Sequence, residues 1–119
     1  MQVRGIRGAI TLSSNTKEEI KKATVELLTD MIDKNSINKE DIVFAIFTVT
    51  SDIDEDFPAK YARLNTGFDK VPMMCYREME VKNSLPMCLR ILITINTDKT
   101  QDEIKHCYLK GAKVLRGDL

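Results

Sequence analysis

Tryptophan is absent, and aromatic residues make up only 6% of the 119 residues. A stacking platform for single-stranded nucleic acid draws on several exposed rings, so that role is excluded. An excess of one charge is lacking as well, because 18 Lys and Arg balance 18 Asp and Glu. A general nucleic-acid binder carries a positive surplus that this chain does not have. No apolar run approaches the ~18–20 residues that cross a bilayer, which argues against a membrane role. Residues 1–14 carry arginines but no continuous apolar core before a cleavage site, so they do not read as a signal peptide. A single histidine, His106, leaves out most His-based metal and triad chemistry. The three cysteines, Cys75, Cys88 and Cys107, are odd in number and have no CxxC spacing. They read as reduced thiols of a cytoplasmic protein, neither a disulfide frame nor a zinc site.

What remains is an ordinary globular balance, 43% hydrophobic and 30% charged. With no linker or repeat, residues 1–119 read as one domain. Val3 to Leu12 reads as a strand. Thr16-Lys17-Glu18-Glu19 is a capping box, and Ile20, Ala23, Leu27, Leu28, Met31 and Ile32 follow at helical spacing to about Lys34. Asn35-Ser36 ends that helix. Ile42 to Thr50 is a buried strand, residues 51–56 a solvated acidic loop, and Pro58 opens a short helix to about Asn65. Val71 to Val81 reads as a strand and Lys82-Asn83-Ser84 as a turn. Met87 to Thr97 alternates: Leu89, Ile91, Ile93 and Ile95 face one way, and Cys88, Arg90, Leu92, Thr94 and Asn96 the other. A second capping box, Thr100 to Glu103, predicts a helix to about Lys110, with a last short strand over Ala112 to Leu115. The order β-α-β-α-β-β-α-β gives an α/β (α+β) chain with a mixed sheet and helices on one face.

The informative residues are charges inside strands. Arg7 lies between Gly5 and Ala9 on one strand face, Arg90 lies opposite an aliphatic row, and Glu78 interrupts the third strand. A face covered by the first helix cannot hide such charges without large cost. The second face is therefore expected to meet another subunit or a polar cavity. Two readings stand. Arg7, Arg90, Arg63 and Lys60 form a pocket for a small anion with more than one carboxylate, which suits the guanidinium fork. Alternatively, they are edge charges that guard against aggregation. Tyr108 borders a buried stripe and reads as core with a wet hydroxyl. Cys75 lacks a base and reads as a small buried hydrophobe. Met73, Met74, Met79 and Met87 read as filler, and His106 as solvated.

Several blocks, in order, resemble one family. They are Arg4-Gly5-Ile6-Arg7-Gly8-Ala9, Phe57-Pro58-Ala59-Lys60 with Arg63, Val71-Pro72 leading to Cys75 and Glu78-Met79, and Cys88-Leu89-Arg90. Gln101-Asp102-x-Ile104-x-His106-x-Tyr108-Leu109 and Val114-Leu115-Arg116 complete the set. Together they resemble the AroH class of monofunctional chorismate mutases along essentially the whole chain. The resemblance implies a homotrimer, a pseudo-α/β-barrel with helices packed outside, and active sites between adjacent subunits. It implies the Claisen rearrangement of chorismate to prephenate, in the shikimate route to phenylalanine and tyrosine. That reaction needs no cofactor, metal or covalent intermediate.

On this resemblance Arg90 donates to the ether oxygen, where negative charge develops. Glu78 accepts from the ring hydroxyl, and Arg7 and Tyr108 bind a carboxylate. Arg63, Lys60 and Arg116 are cationic supports, and Phe57, Ala59, Met73, Cys75 and Leu115 wall the pocket. Two positions depart from the family: Met74, where Thr is frequent, and Gly117, where Pro is common. Cys75 and Glu78 are three apart and should point to opposite faces of a regular strand, so either a bulge intervenes or each serves a different cleft. The competing readings are a Rid-type imine or enamine deaminase on the same trimeric scaffold and a non-enzymatic trimer that binds a small anion.

Overall fold

The computed structural model describes residues 1–116, with the side chain of Arg116 and residues 117–119 outside the description. The expected roles of the Arg116 side chain and of Gly117 therefore lie outside the described residues. Strand β1 (Gln2–Thr11) leads to helix α1 (Lys17–Asn35). Thr16 caps α1 by accepting from the Glu19 N–H at 3.2 Å, and Glu18 and Glu19 in the first turn oppose the positive end of the helix dipole. Its apolar stripe, Ile20, Ala23, Leu27, Leu28 and Met31, is fully buried. Ser36 ends the helix in the left-handed region at φ 50°.

Strand β2 (Ile42–Val49), helix α2 (Pro58–Asn65), and strands β3 (Met73–Arg77), β4 (Cys88–Thr97) and β5 (Cys107–Leu109) follow. They form one mixed five-stranded sheet in the order β3-β2-β4-β1-β5. The central pairs β1–β4 and β2–β4 are antiparallel, and the outer pairs β1–β5 and β2–β3 are parallel. The alternation read in β4 holds: Leu89, Ile91, Ile93 and Ile95 are buried, while Arg90, Leu92, Thr94 and Asn96 are only partly so. Ile6, Ile10, Ala45 and Phe47 join that buried row beneath α1 and α2. Gly8 lets α1 lie close, since a Cβ there would come within 2.5 Å of the Met31 Sδ. The opposite face, with Arg7, Ile46, Thr48, Arg90 and Leu92, has neither helix on it.

Four expectations are corrected. The capping box at Thr100 forms both of its halves, yet it opens only a single 3₁₀ turn, Gln101–Glu103. The chain then extends, and Cys107–Leu109 pairs with Gly8–Ile10 as a parallel edge strand in place of the expected helix to Lys110. The expected strand over 112–115 is a 3₁₀ segment, Lys110–Arg116. The third strand is shorter than Val71 to Val81, because its partner β2 ends at Val49 and nothing continues the ladder beyond Glu78. The acidic loop is not merely solvated. Asp52 accepts the Met87 N–H at 3.0 Å, Asp54 accepts from Asn15 Nδ2 at 2.7 Å, and Asp56 accepts from Tyr61 Oη at 2.6 Å.

Candidate active site

The register gathers charge on the open face. Arg90 in β4 lies between Ala9 of β1 and Thr48 of β2, and Ala9 in turn pairs with Tyr108 of β5. Across a ladder, partner residues share a face, so Arg90, Thr48 and Tyr108 stand together, with Arg7 one step further along β1. Arg7, Thr48, Arg90, Tyr108 and Leu115 border one hollow of about 240 Å³. Ala9 and Ala112 are small, and the space they leave is filled by Tyr108 and Leu115, which pack against them. The Gly111 N–H donates to Thr11 Oγ1 at 2.9 Å and ties the Leu115-bearing segment to the end of β1.

Glu78 follows β3, and its N–H donates to Val49 O at 2.8 Å. Its side chain turns over the open face. Thr48 Oγ1 donates to Glu78 Oε2 at 2.7 Å, and the same oxygen stands 3.5 Å from Arg90 Nε. That is ion-pair distance but too long for a good hydrogen bond. The Arg90 Nε is buried and makes no hydrogen bond among the described residues. The guanidinium as a whole is 30% exposed and borders the hollow.

The remaining predicted residues form a second group. Phe57 and Cys75 border another recess, of about 340 Å³, with Ile53, Tyr76 and Arg77. Ala59, Met73 and Cys75 also pack on the helix-side core. Lys60 Nζ is 3.2 Å from Asp56 Oδ2 and 5.5 Å from the Tyr61 ring centre, so its charge is partly engaged. Arg63 is exposed in the last turn of α2. Met74, in register with Ile46, is exposed on the open face. Cys75 pairs with the buried Phe47, whereas Glu78 crosses to Thr48, and no register shift interrupts β2 and β3. Regular alternation, with no bulge, places Cys75 and Glu78 on opposite sides of the sheet. Within one chain the thirteen candidates therefore do not form one pocket: Arg7, Glu78, Arg90, Tyr108 and Leu115 meet, and Phe57 and Cys75 line a different surface.

No activated nucleophile stands in either recess. Burial pushes the Cys75 thiol up, offset in part by the Ala59 backbone N–H. Burial also pushes Cys88 up, with the neighbouring Arg90 acting in the other direction. Cys107 is pushed up to about 12, by burial first and then by Asp30. Thiols in these surroundings stay protonated and inert at neutral pH. Among the described residues, no group of three or more His, Cys, Asp or Glu side chains converges to hold a metal ion.

An arginine-lined hollow beside an inert set of thiols suits a reaction that needs binding and charge rather than a covalent intermediate. Comparison with known proteins decides the family: the model of type I chorismate mutases matches residues 3–119. The chain belongs to the type I chorismate mutase family. It is 43% identical over its full length to chorismate mutase AroH of Bacillus subtilis (strain 168), covering 94% of that protein. It is 48% identical over 98% of its length to chorismate mutase AroH of Thermus thermophilus, covering 96% of that protein. The solved structure of a chorismate mutase from Clostridium thermocellum superposes with a TM-score of 0.90 at 48% identity. That match covers 93% of this chain and 98% of the other.

Three residues of this mutase-family chain escape a reading from sequence. Thr48 holds Glu78, and its only signal is a hydroxyl within an apolar strand, on the Arg90 face. His106 is not a solvated helix residue; its Nδ1 accepts the Arg7 backbone N–H at 2.9 Å, which fixes the chain at Arg7. Asp52 braces Met87, whose φ of 50° is unfavourable for a residue with a side chain, just before β4 begins. Such a contact spans 35 residues and leaves no trace in local pattern.

Proposed function

We propose that this chain converts chorismate to prephenate by holding the substrate in a compact conformer and stabilising the charge that separates as the C–O bond breaks. One observation carries the reading: the partly exposed Arg90 guanidinium borders the hollow with Arg7 and Tyr108 and stands beside a Glu78 carboxylate oriented by Thr48. Arg90 donates to the ether oxygen. Glu78 accepts from the ring hydroxyl and faces the ring carbons where positive charge builds. Arg7 and Tyr108 take a carboxylate of the transferred side chain. The rearrangement is unimolecular, so positioning and preorganised charge supply the acceleration without a nucleophile or base.

The second group of residues completes the site from a neighbouring chain. Phe57, Ala59, Lys60, Arg63, Met73, Met74 and Cys75 of one subunit would face Arg7, Glu78, Arg90, Tyr108 and Leu115 of the next, with Arg116 as a further cation. The open sheet face supports such an assembly, since Phe44, Met74 and Tyr76 are 37%, 58% and 47% exposed on it in the single chain. A trimer covers that face and encloses the hollow. Three free thiols fit a cytoplasmic enzyme.

Loss of chorismate absorbance tests the activity directly. Arg90→Ala is expected to lower kcat by about 10²–10³-fold, the typical effect of losing one preorganised donor. Arg90→Lys keeps the charge but loses the planar fork, and a strong loss there would show that geometry carries the effect. Full activity in Arg90→Ala would overturn the assigned mechanism. Tight binding of chorismate with no turnover would favour an anion-binding trimer instead.

A further inference from the structure

We infer that Thr48 is a positioning residue for the reaction, acting through Glu78 and, by holding Glu78 back, through Arg90. The inference rests on the mutase reading above. Glu78 lies beyond the last residue of β3, on a segment with little ladder support. Among the described residues, its backbone N–H donates to Val49 O at 2.8 Å. Its carboxylate is turned toward the open face by two contacts on Oε2: the Thr48 hydroxyl at 2.7 Å and the Arg90 guanidinium at 3.5 Å. Oε1 takes only a long 3.3 Å bond from the adjacent Met79 N–H.

The two Oε2 contacts are unequal, and that inequality matters. Thr48 is across the antiparallel ladder from Arg90, on the same face. Its β-branched side chain has few rotamers, so the hydroxyl is a stiff anchor. By drawing Oε2 onto itself, it keeps the carboxylate about half an ångström beyond good hydrogen-bond reach of Arg90 Nε. The carboxylate thereby stays off the guanidinium. Without the hydroxyl, nothing opposes closure of an acid onto a base at this partly exposed position. The resulting charge-assisted bond would turn Glu78 away from the ring hydroxyl and draw the Arg90 guanidinium off its position at the hollow. Both losses fall on the transition state more than on substrate binding, so kcat should suffer while KM changes little.

The test compares wild type, Thr48→Val and Thr48→Ser, each with and without Glu78→Gln, in the chorismate assay. Valine is isosteric and removes only the hydroxyl; serine restores it. Thr48→Val is expected to lower kcat about tenfold, the scale of one hydrogen bond to a charged group. Thr48→Ser is expected to recover most of that. In the Glu78→Gln background, Thr48→Val is expected to add little, because the residue through which it acts has already been altered. Thermal unfolding of each variant separates loss of fold from loss of positioning. Unchanged kcat in a folded Thr48→Val overturns the inference. So does a Thr48→Ser as slow as Thr48→Val, or a full additive loss in the Glu78→Gln background. An inactive wild type overturns the mutase reading, and the inference with it.

Discussion

Asp56 illustrates how one side chain orders a segment that carries candidate site residues. Its carboxylate accepts from Tyr61 Oη at 2.6 Å and the Phe57 N–H at 2.8 Å and pairs with Lys60 at 3.2 Å. It thus fixes the entry of α2, where Phe57 and Lys60 are presented. The Tyr61 hydroxyl first, then the Phe57 N–H, bring its pKa down to about 2. Tyr61 moves up in return. A carboxyl whose folded pKa lies below its unfolded 3.8 binds fewer protons when folded. Its stabilisation is therefore complete above about pH 4 and lost as pH falls toward about 2. Urea unfolding of wild type and Asp56→Ala should differ at neutral pH and converge toward pH 2; a constant difference across that range would contradict this linkage. The charges that meet on the open face, Arg7, Glu78 and Arg90, were legible in the sequence because charges within strands stand out against apolar neighbours. Thr48, His106 and Asp52 were not, since a threonine in a strand or an acid in a loop is unremarkable until its distant partner is known.

At the scale of elements, periodicity was a good guide wherever one face of an element is buried by something already in the sequence nearby. Helix α1 and strand β4 follow their patterns because each lays one regular apolar row against the other's layer. The segment after Thr100 shows where such reasoning fails. Its capping box is genuine, and the spacing of Ile104 and Tyr108 suits a helix. Two distant partners win instead. Asn35 accepts the Lys105 N–H at 2.8 Å and donates to Lys105 O at 2.8 Å, which satisfies an extended backbone there. β1 then offers its free edge to Cys107–Leu109. Tertiary hydrogen bonds outweigh helix propensities of a few tenths of a kcal/mol per residue. The closeness of α1 to β1 yields a prediction of its own. Gly8→Ala would press a methyl group within 2.5 Å of Met31 Sδ and 3.1 Å of Leu27 Cδ1. Overpacking of this kind costs about 1–3 kcal/mol, readable as a lower urea midpoint with an unchanged m-value.

The described residues form a single sheet with both α-helices on one side. That asymmetry fits the charge pattern of the sequence: arginines are costly beneath a helix, and in the proposed trimer the face that carries them meets another subunit. Phe44 lies on that face four residues before Thr48, roughly 13 Å along β2 at strand rise. Phe44→Glu is expected to shift the assembly to monomer in light scattering coupled to size-exclusion chromatography. Turnover should fall with it, because the recess that holds Phe57 and Cys75 would no longer meet the Arg90 hollow. A Phe44→Glu protein that stays assembled and fully active would exclude this face from the interface.

The sheet order has a consequence for how the molecule comes into being. β1 and β5 are neighbours, yet the residues they align are about a hundred positions apart, as the bond from Arg7 to His106 spans 99. During synthesis, a growing chain that has reached Thr100 already holds both arginines and Glu78, but it has no His106 to fix the backbone at Arg7 and no Tyr108 to border the hollow. Pairings this distant in sequence form late and slowly. The newborn polypeptide therefore stays inert until Cys107–Leu109 has been made, and its arginine-bearing face is finished only as β5 docks.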